Sequence, residues 1–65
     1  AANITAALPA ELRGRIYHAT LELDPEKTLA LLAEAEPIAP GIARELRARA
    51  ERFDFQSLQQ LFQPT

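Results

Sequence analysis

The stretch ERFDFQSLQQLF, residues 51–62, decides whether the chain ends in three helices or four. An Arg-rich run reaches Phe53, meets Asp54, and restarts at once with Phe55. Aspartate is a strong N-cap because its carboxylate accepts a hydrogen bond from a backbone N–H that the first helical turn leaves orphaned. Asp54 therefore reads as the cap of a short helix from Phe55 to about Gln63, bearing Phe55, Leu58, Leu61 and Phe62. Phe53 precedes the cap and Leu58 follows it at the spacing of a hydrophobic staple. On this reading Phe53 closes the apolar stripe of one helix, Phe55 opens that of the next, and a single residue makes the corner. The two rings would bury ~150–250 Å² each, a large share of a small core.

Working back from this corner, Pro40 opens the preceding helix, which runs through about Phe53 with the stripe Ile42 (and Ala43), Leu46, Ala50, Phe53. Glu45 and Arg49 form an i,i+4 pair in the favourable order. Upstream, Asp24-Pro25-Glu26 repeats the start signal: Asp24 caps, Pro25 takes the first helical position, and Glu26 faces the positive end of the dipole. That helix extends to about Glu36. Leu29, Leu31, Leu32 and Ala35 spread its apolar residues over a wide arc, which predicts the most buried helix of the set. Pro37 and Pro40 predict an extended link through Ile38 and Ala39. The first helix opens at Pro9, with the stripe Leu12, Ile16, Ala19, Leu23, and Ile4–Leu8 forms one short turn before it, capped by Asn3 or Thr5.

The expected fold is therefore all-α: a compact antiparallel bundle of three main helices plus a short C-terminal fourth, in one domain over residues 1–65. Composition agrees. The chain is 48% hydrophobic and rich in Ala and Leu, with two glycines and few β-branched residues, which favours helix over sheet. Without cysteine it has no disulfide and no Cys/His zinc set, so the core rests on apolar packing alone. No internal repeat is evident. The chain begins AANITAALP, without Met, and reads as a segment of a longer protein. No apolar run reaches the ~20 residues that a membrane span needs. The net charge of −2 gives no general attraction to nucleic acid.

The stretch LPAELRGRIYHATLELDPEKTLALLAEAEPIAPGIARELRARAERFDFQSLQQLF resembles the small helical segment at the extreme C-terminus of many bacterial hybrid sensor histidine kinases and related response-regulator proteins. The shared features are Leu8-Pro9 opening the first helix, Leu23-Asp24 at the first turn, Pro40 before the third helix, Leu46, and Phe53-Asp54-Phe55 leading into a terminal Leu-rich helix. The resemblance implies a cytoplasmic module that follows a receiver domain and assists phosphorelay signalling, whether or not the parent protein is attached to a membrane. It implies a receiver or kinase domain as partner, or a second copy in a homodimer. It brings no cofactor and no membrane contact.

Candidate functional residues fall on two helices. Arg44, Arg47, Arg49 and Arg52 are interleaved with Glu45 and Glu51, while residues 22–36 carry five acids and one lysine. The arginines form either a basic face for an acidic partner, such as a receiver's phosphorylation cleft, or a solvated face with internal pairs. Glu34 and Glu36 sit near a helix end, where acids are unfavourable, and attraction to the Arg-bearing helix is the one account of them beyond solvation. His18 lies beside the apolar stripe near Glu11, Arg15 and Glu22, with Gly14 one turn earlier leaving a bare patch that a partner could approach. It is either a surface polar residue or the phosphoacceptor of a diverged histidine phosphotransfer domain. Such domains place Lys and Gly just after their histidine, whereas Ala19-Thr20-Leu21-Glu22 follows here. Gly14 itself either permits close helix approach or is merely tolerated. Tyr17, Leu21, Leu31 and Leu61 fall off their stripes and are candidates for an exposed apolar surface. The carboxylates make no catalytic pair and no converging metal site.

Overall fold

Each aspartate cap starts a helix where the sequence puts it. A computed structural model describes residues 4–63. A 3-10 turn at Ile4–Ala7 leads into α1 (Ala10–Leu21), α2 (Pro25–Ala35), α3 (Pro40–Glu51) and α4 (Phe55–Phe62). The Asp24 carboxylate accepts from the Lys27 N–H at 3.0 Å and the Asp54 carboxylate from the Ser57 N–H at 3.3 Å. Pro25 and Pro40 occupy first turns, where a missing N–H is no loss. Pro9 stands one residue before α1, and its carbonyl accepts from the Arg13 N–H at 3.0 Å. The three connections between the helices are three or four residues long. α1 packs on α2 and α4, and α3 packs on the same two, so the four close into a ring, with the 3-10 turn lying on α4.

The core is the ring's interior: Leu12, Ile16 and Ala19 from α1, Leu31, Leu32 and Ala35 from α2, Ala43, Leu46 and Ala50 from α3, Phe55, Leu58 and Phe62 from α4, with Leu8 covering one end. Leu31 is therefore a core residue and not a surface one. Tyr17, Ile42 and Leu61 pack on its margin, and Leu21 stands exposed. With four of its 11 residues buried, α2 is more enclosed than its neighbours α1 (four of 12) and α3 (three of 12), and the short α4 (three of eight) matches it.

Three threonines are also buried, and each hydroxyl finds a backbone carbonyl, which removes the cost of an unpaired buried polar group. Thr20 donates to Tyr17 O at 2.6 Å, Thr28 to Asp24 O at 2.8 Å, and Thr5 to Leu61 O at 3.2 Å. Thr5 thus lies inside its turn and ties it to the end of α4. Asn3, the other expected cap, falls outside the described residues. Gln59 on α4 donates to Thr20 O at 3.0 Å, which docks α4 on the end of α1.

The two hairpin corners share one geometry. After α1, the Leu23 N–H donates to Thr20 O (3.1 Å) and the Asp24 N–H to Ala19 O (3.2 Å). After α3, the Phe53 N–H donates to Ala50 O (3.0 Å) and the Asp54 N–H to Arg49 O (2.9 Å). This paired-bond cap requires its middle residue to be left-handed, and Leu23 (φ 54°) and Phe53 (φ 58°) are so. That conformation swings both side chains away from the core. Leu23 is 62% and Phe53 67% exposed, so neither ends an apolar stripe, and no staple forms between Phe53 and Leu58. Phe55 alone enters the core, and Phe53 leans on it with ring centroids 6.4 Å apart.

Adding thirty to Ala10, Leu21, Pro25, Leu23 and Asp24 gives Pro40, Glu51, Phe55, Phe53 and Asp54, the matching positions of the second hairpin. The buried positions follow the same rule: Ile16 with Leu46, Thr20 with Ala50, Thr28 with Leu58, Leu32 with Phe62. The bundle is a helical hairpin used twice. The sequence hides this, because over the aligned hairpins only Asp24/Asp54 and Leu31/Leu61 match in residue. At the opposite end, the link between α2 and α3 is a turn and not an extended strand. The Ile38 and Ala39 N–H groups both donate to Ala35 O, and only Ala39 is extended.

Two substitutions test the backbone argument in one set of denaturation curves. A Cβ at Gly14 meets nothing within 4 Å on an exposed helix face, so Gly14→Ala should raise stability by about 1 kcal/mol. Leu23→Gly, at a left-handed position, should also raise it by about 1 kcal/mol, although it deletes an entire side chain. Asp54→Ala removes a cap and should lower stability by ~1 kcal/mol, with α4 amide protection falling first in hydrogen exchange.

Candidate functional site

The four arginines of α3 do not form one uniform face. Arg49 is drawn inward: its guanidinium donates to Ser57 Oγ on α4 and pairs with Glu45 Oε1 at 3.2 Å, and the side chain is only 27% exposed. Its Nε is buried without a hydrogen-bond partner. Arg49 therefore holds α4 against α3. Arg47 approaches Glu51 at 3.8 Å, a solvated i,i+4 pair contributing ~0.3–0.5 kcal/mol. Arg44 and Arg52 are exposed and form no ion pair among the described residues.

Two shallow surface grooves run along this helix. One, between α2 and α3, is lined by Leu32, Ala33, Glu36, Ala43, Arg44 and Arg47. The other lies over α3 itself, where Gly41 and Ala48 leave a low floor between Arg44, Arg49 and Arg52, with Glu45 at its edge. A Cβ at Gly41 would meet nothing within 4 Å, so this floor is open to solvent. Glu36 is thus near the arginines, as attraction to α3 predicts. Glu34 is not: it reaches across to α1 and takes the two Arg15 nitrogens at 3.4 and 3.5 Å. Sequence reasoning missed this pair, because residues 19 apart in the chain give no periodic signal.

His18 is exposed on α1, its ring 6.3 Å from that of Tyr17 and tilted 59° to it. Two of its three expected charged neighbours are engaged elsewhere, Arg15 with Glu34 and Glu22 with Lys27 at 3.0 Å. Gly14 is exposed and brings no helix close, so within this chain it is tolerated and not required. Tyr17 is half-buried against the core. The structure therefore separates the candidates: Gly14, Tyr17 and His18 on α1, the arginines on α3. Leu46, Asp24, Asp54 and Phe55 are structural, the first and last buried and the aspartates capping. Among the described residues no three acidic, His or Cys side chains gather as a metal site, and no helix is long and apolar enough to cross a membrane.

The division among the arginines is measurable. Arg49→Ala should destabilise the fold by about 1–2 kcal/mol, since it frees Ser57 and Glu45 and leaves the α3–α4 seam unpinned. Arg44→Ala and Arg52→Ala should each stay within about 0.5 kcal/mol in the same urea titration.

No curated protein and no solved structure matches the chain. A model of one family matches residues 1–63, nearly the whole length, and it describes the part of signalling proteins that the corner and proline pattern resembles. The chain belongs to the hybrid histidine kinase-response regulator C-terminal domain family.

Proposed function

We propose that this domain is a non-catalytic interaction module of a two-component signalling protein, and that it docks on a receiver or kinase domain through the arginine-lined surface of α3. The observation that carries this reading is the exposed pair Arg44 and Arg52, uncompensated among the described residues, flanking an open floor at Gly41 and Ala48. Small residues let a partner's backbone approach, and arginines fit carboxylates in a fork of parallel hydrogen bonds. A receiver's acidic phosphorylation cleft is complementary to that surface. Off α3, Arg15 is paired with Glu34, Lys27 with Glu22, and Arg13 is half-buried, so among the described residues the exposed unpaired cations are on α3 and its C-cap.

The test is a titration of the ¹⁵N-labelled domain with the parent's receiver domain. Shift changes should centre on residues 41–52. Arg44→Glu with Arg52→Glu should weaken binding at least about tenfold, and added salt should weaken the wild type in step. No shift change at high receiver concentration would remove docking as the function.

One observation favours a second reading. His18 is exposed, and Gly14, one turn earlier, leaves its approach open. In that reading the phosphoryl group passes from a receiver's aspartyl phosphate to an imidazole nitrogen, regenerating the carboxylate. Acid-labile label on the wild type that is lost in His18→Gln would establish it in place of docking alone.

A further inference from the structure

Two large apolar side chains stand in water at one end of the bundle. Leu23 and Phe53 are 62% and 67% exposed, and Leu21 beside them is 49% exposed. Gln59 in the second turn of α4 donates to Thr20 O in the last turn of α1 at 3.0 Å, so the α3–α4 and α1–α2 corners stand close to one another on a molecule no more than 25 Å along any principal axis. The fold itself makes little use of Leu23 or Phe53. Each occupies a left-handed position where glycine is the favoured residue, so each carries a backbone cost as well as an exposed apolar surface. The same two costs recur at the equivalent position of both hairpins.

The rim around these side chains is acidic. In the chain Glu22, Asp24 and Glu26 neighbour Leu23, and Glu51 and Asp54 neighbour Phe53, against Lys27 and Arg52 as the only cations of the two corner segments 22–27 and 51–54. Lys27 is held by Glu22 at 3.0 Å and Glu51 approaches Arg47 at 3.8 Å, which leaves Asp24, Glu26 and Asp54 against Arg52. An apolar centre within a negative rim fits an apolar surface edged with positive charge. We propose that this end of the domain is a docking face for a partner's amphipathic helix whose apolar side is bordered by Lys or Arg. A second copy of this chain would bring two acidic rims together, and an anionic lipid surface would be repelled in the same way. The proposal is independent of the arginine-lined flank of α3 and stands or falls separately from docking there.

The probe is a Leu/Lys amphipathic helical peptide, with a Leu/Glu peptide of equal length as control, each titrated into the ¹⁵N-labelled domain. Leu/Lys binding should shift residues 21–26 and 51–55 and leave residues 41–48 unmoved. The double variant Leu23→Asn, Phe53→Asn keeps residues that tolerate the left-handed conformation and removes the apolar side chains. It should bind the Leu/Lys peptide at least about tenfold more weakly while retaining the dispersed spectrum of the fold. A second variant, Glu26→Lys with Glu51→Lys, leaves the apolar residues in place and should weaken binding to a similar degree. Equal binding of the Leu/Glu peptide, unchanged affinity in both variants, or shifts centred elsewhere would overturn the proposal. So would concentration-dependent broadening of residues 21–26 and 51–55 without peptide, which would make a second copy the occupant.

Discussion

The rest of the structure depends on how one aspartate serves two helices. Asp54 donates its backbone N–H to Arg49 O, which closes α3, and its side chain accepts the Ser57 N–H, which opens α4. Asp24 does the same between Ala19 and Lys27. With both jobs assigned to one residue, the reversal has only the preceding residue in which to turn, and that residue is forced into the left-handed region. Corner length and the pairing of α1 with α2 and α3 with α4 follow from this constraint. So does the outward direction of Leu23 and Phe53.

A corner this tight brings helices close together, and the core is composed accordingly. Ala19, Ala35, Ala43 and Ala50 are all buried, and Thr20 and Thr28 are fully buried. Small residues let the helix backbones approach. The threonines fill the remaining volume without leaving a hydroxyl unpaired, because each donates to its own helix or its own corner. Thr28 donates to the carbonyl of the cap Asp24, so the packing of α2 and the geometry of the corner reinforce each other. The second hairpin puts Leu58 where the first has Thr28, and Phe62 where the first has Leu32. The larger residues gather on α4, the shortest helix, which must cover the core with only eight residues.

Much of this was legible because the signals are local. Asp followed by Pro or by a Phe-led run, Pro at first turns and apolar spacing of three and four each state a short-range rule, and all four helices stand where those rules put them. What failed was set by backbone hydrogen bonds between residues five apart. Leu23 and Phe53 continue the apolar periodicity of α1 and α3, yet the caps end those helices at Leu21 and Glu51, and periodicity stops describing direction beyond that point. Leu31 erred the other way. A helix with neighbours on both sides in a ring buries a wider arc than one stripe. At the candidate site, sequence reading found the arginines but not their division, because the Arg49–Ser57 contact forms only once α4 has folded back on α3. The duplicated hairpin escaped for a related reason: the repeat lives in backbone geometry and burial, and side chains of different size fill equivalent places.

The same facts separate what the fold requires from what it carries. A surface arginine that pins a seam, such as Arg49, and a surface glutamine that docks a helix end, such as Gln59, have structural reasons to be there. The ion pairs Arg15–Glu34, Glu22–Lys27 and Arg47–Glu51 are each more than half exposed at both ends, and such pairs contribute at most ~1 kcal/mol. A domain whose shape rests on two aspartate corners and a small shared core leaves most of its surface chemistry without a structural task. Arg44 and Arg52 on the flank, and Leu23 and Phe53 at the corner end, belong to that surface. The first two are charges without an ion-pair partner among the described residues. The other two are apolar groups held in water by a backbone that would accept glycine. Of the two kinds, the corner residues carry the stronger physical argument for a task outside the fold: an exposed arginine is at ease in water, whereas an exposed phenylalanine in a left-handed conformation is opposed by both its solvent and its backbone.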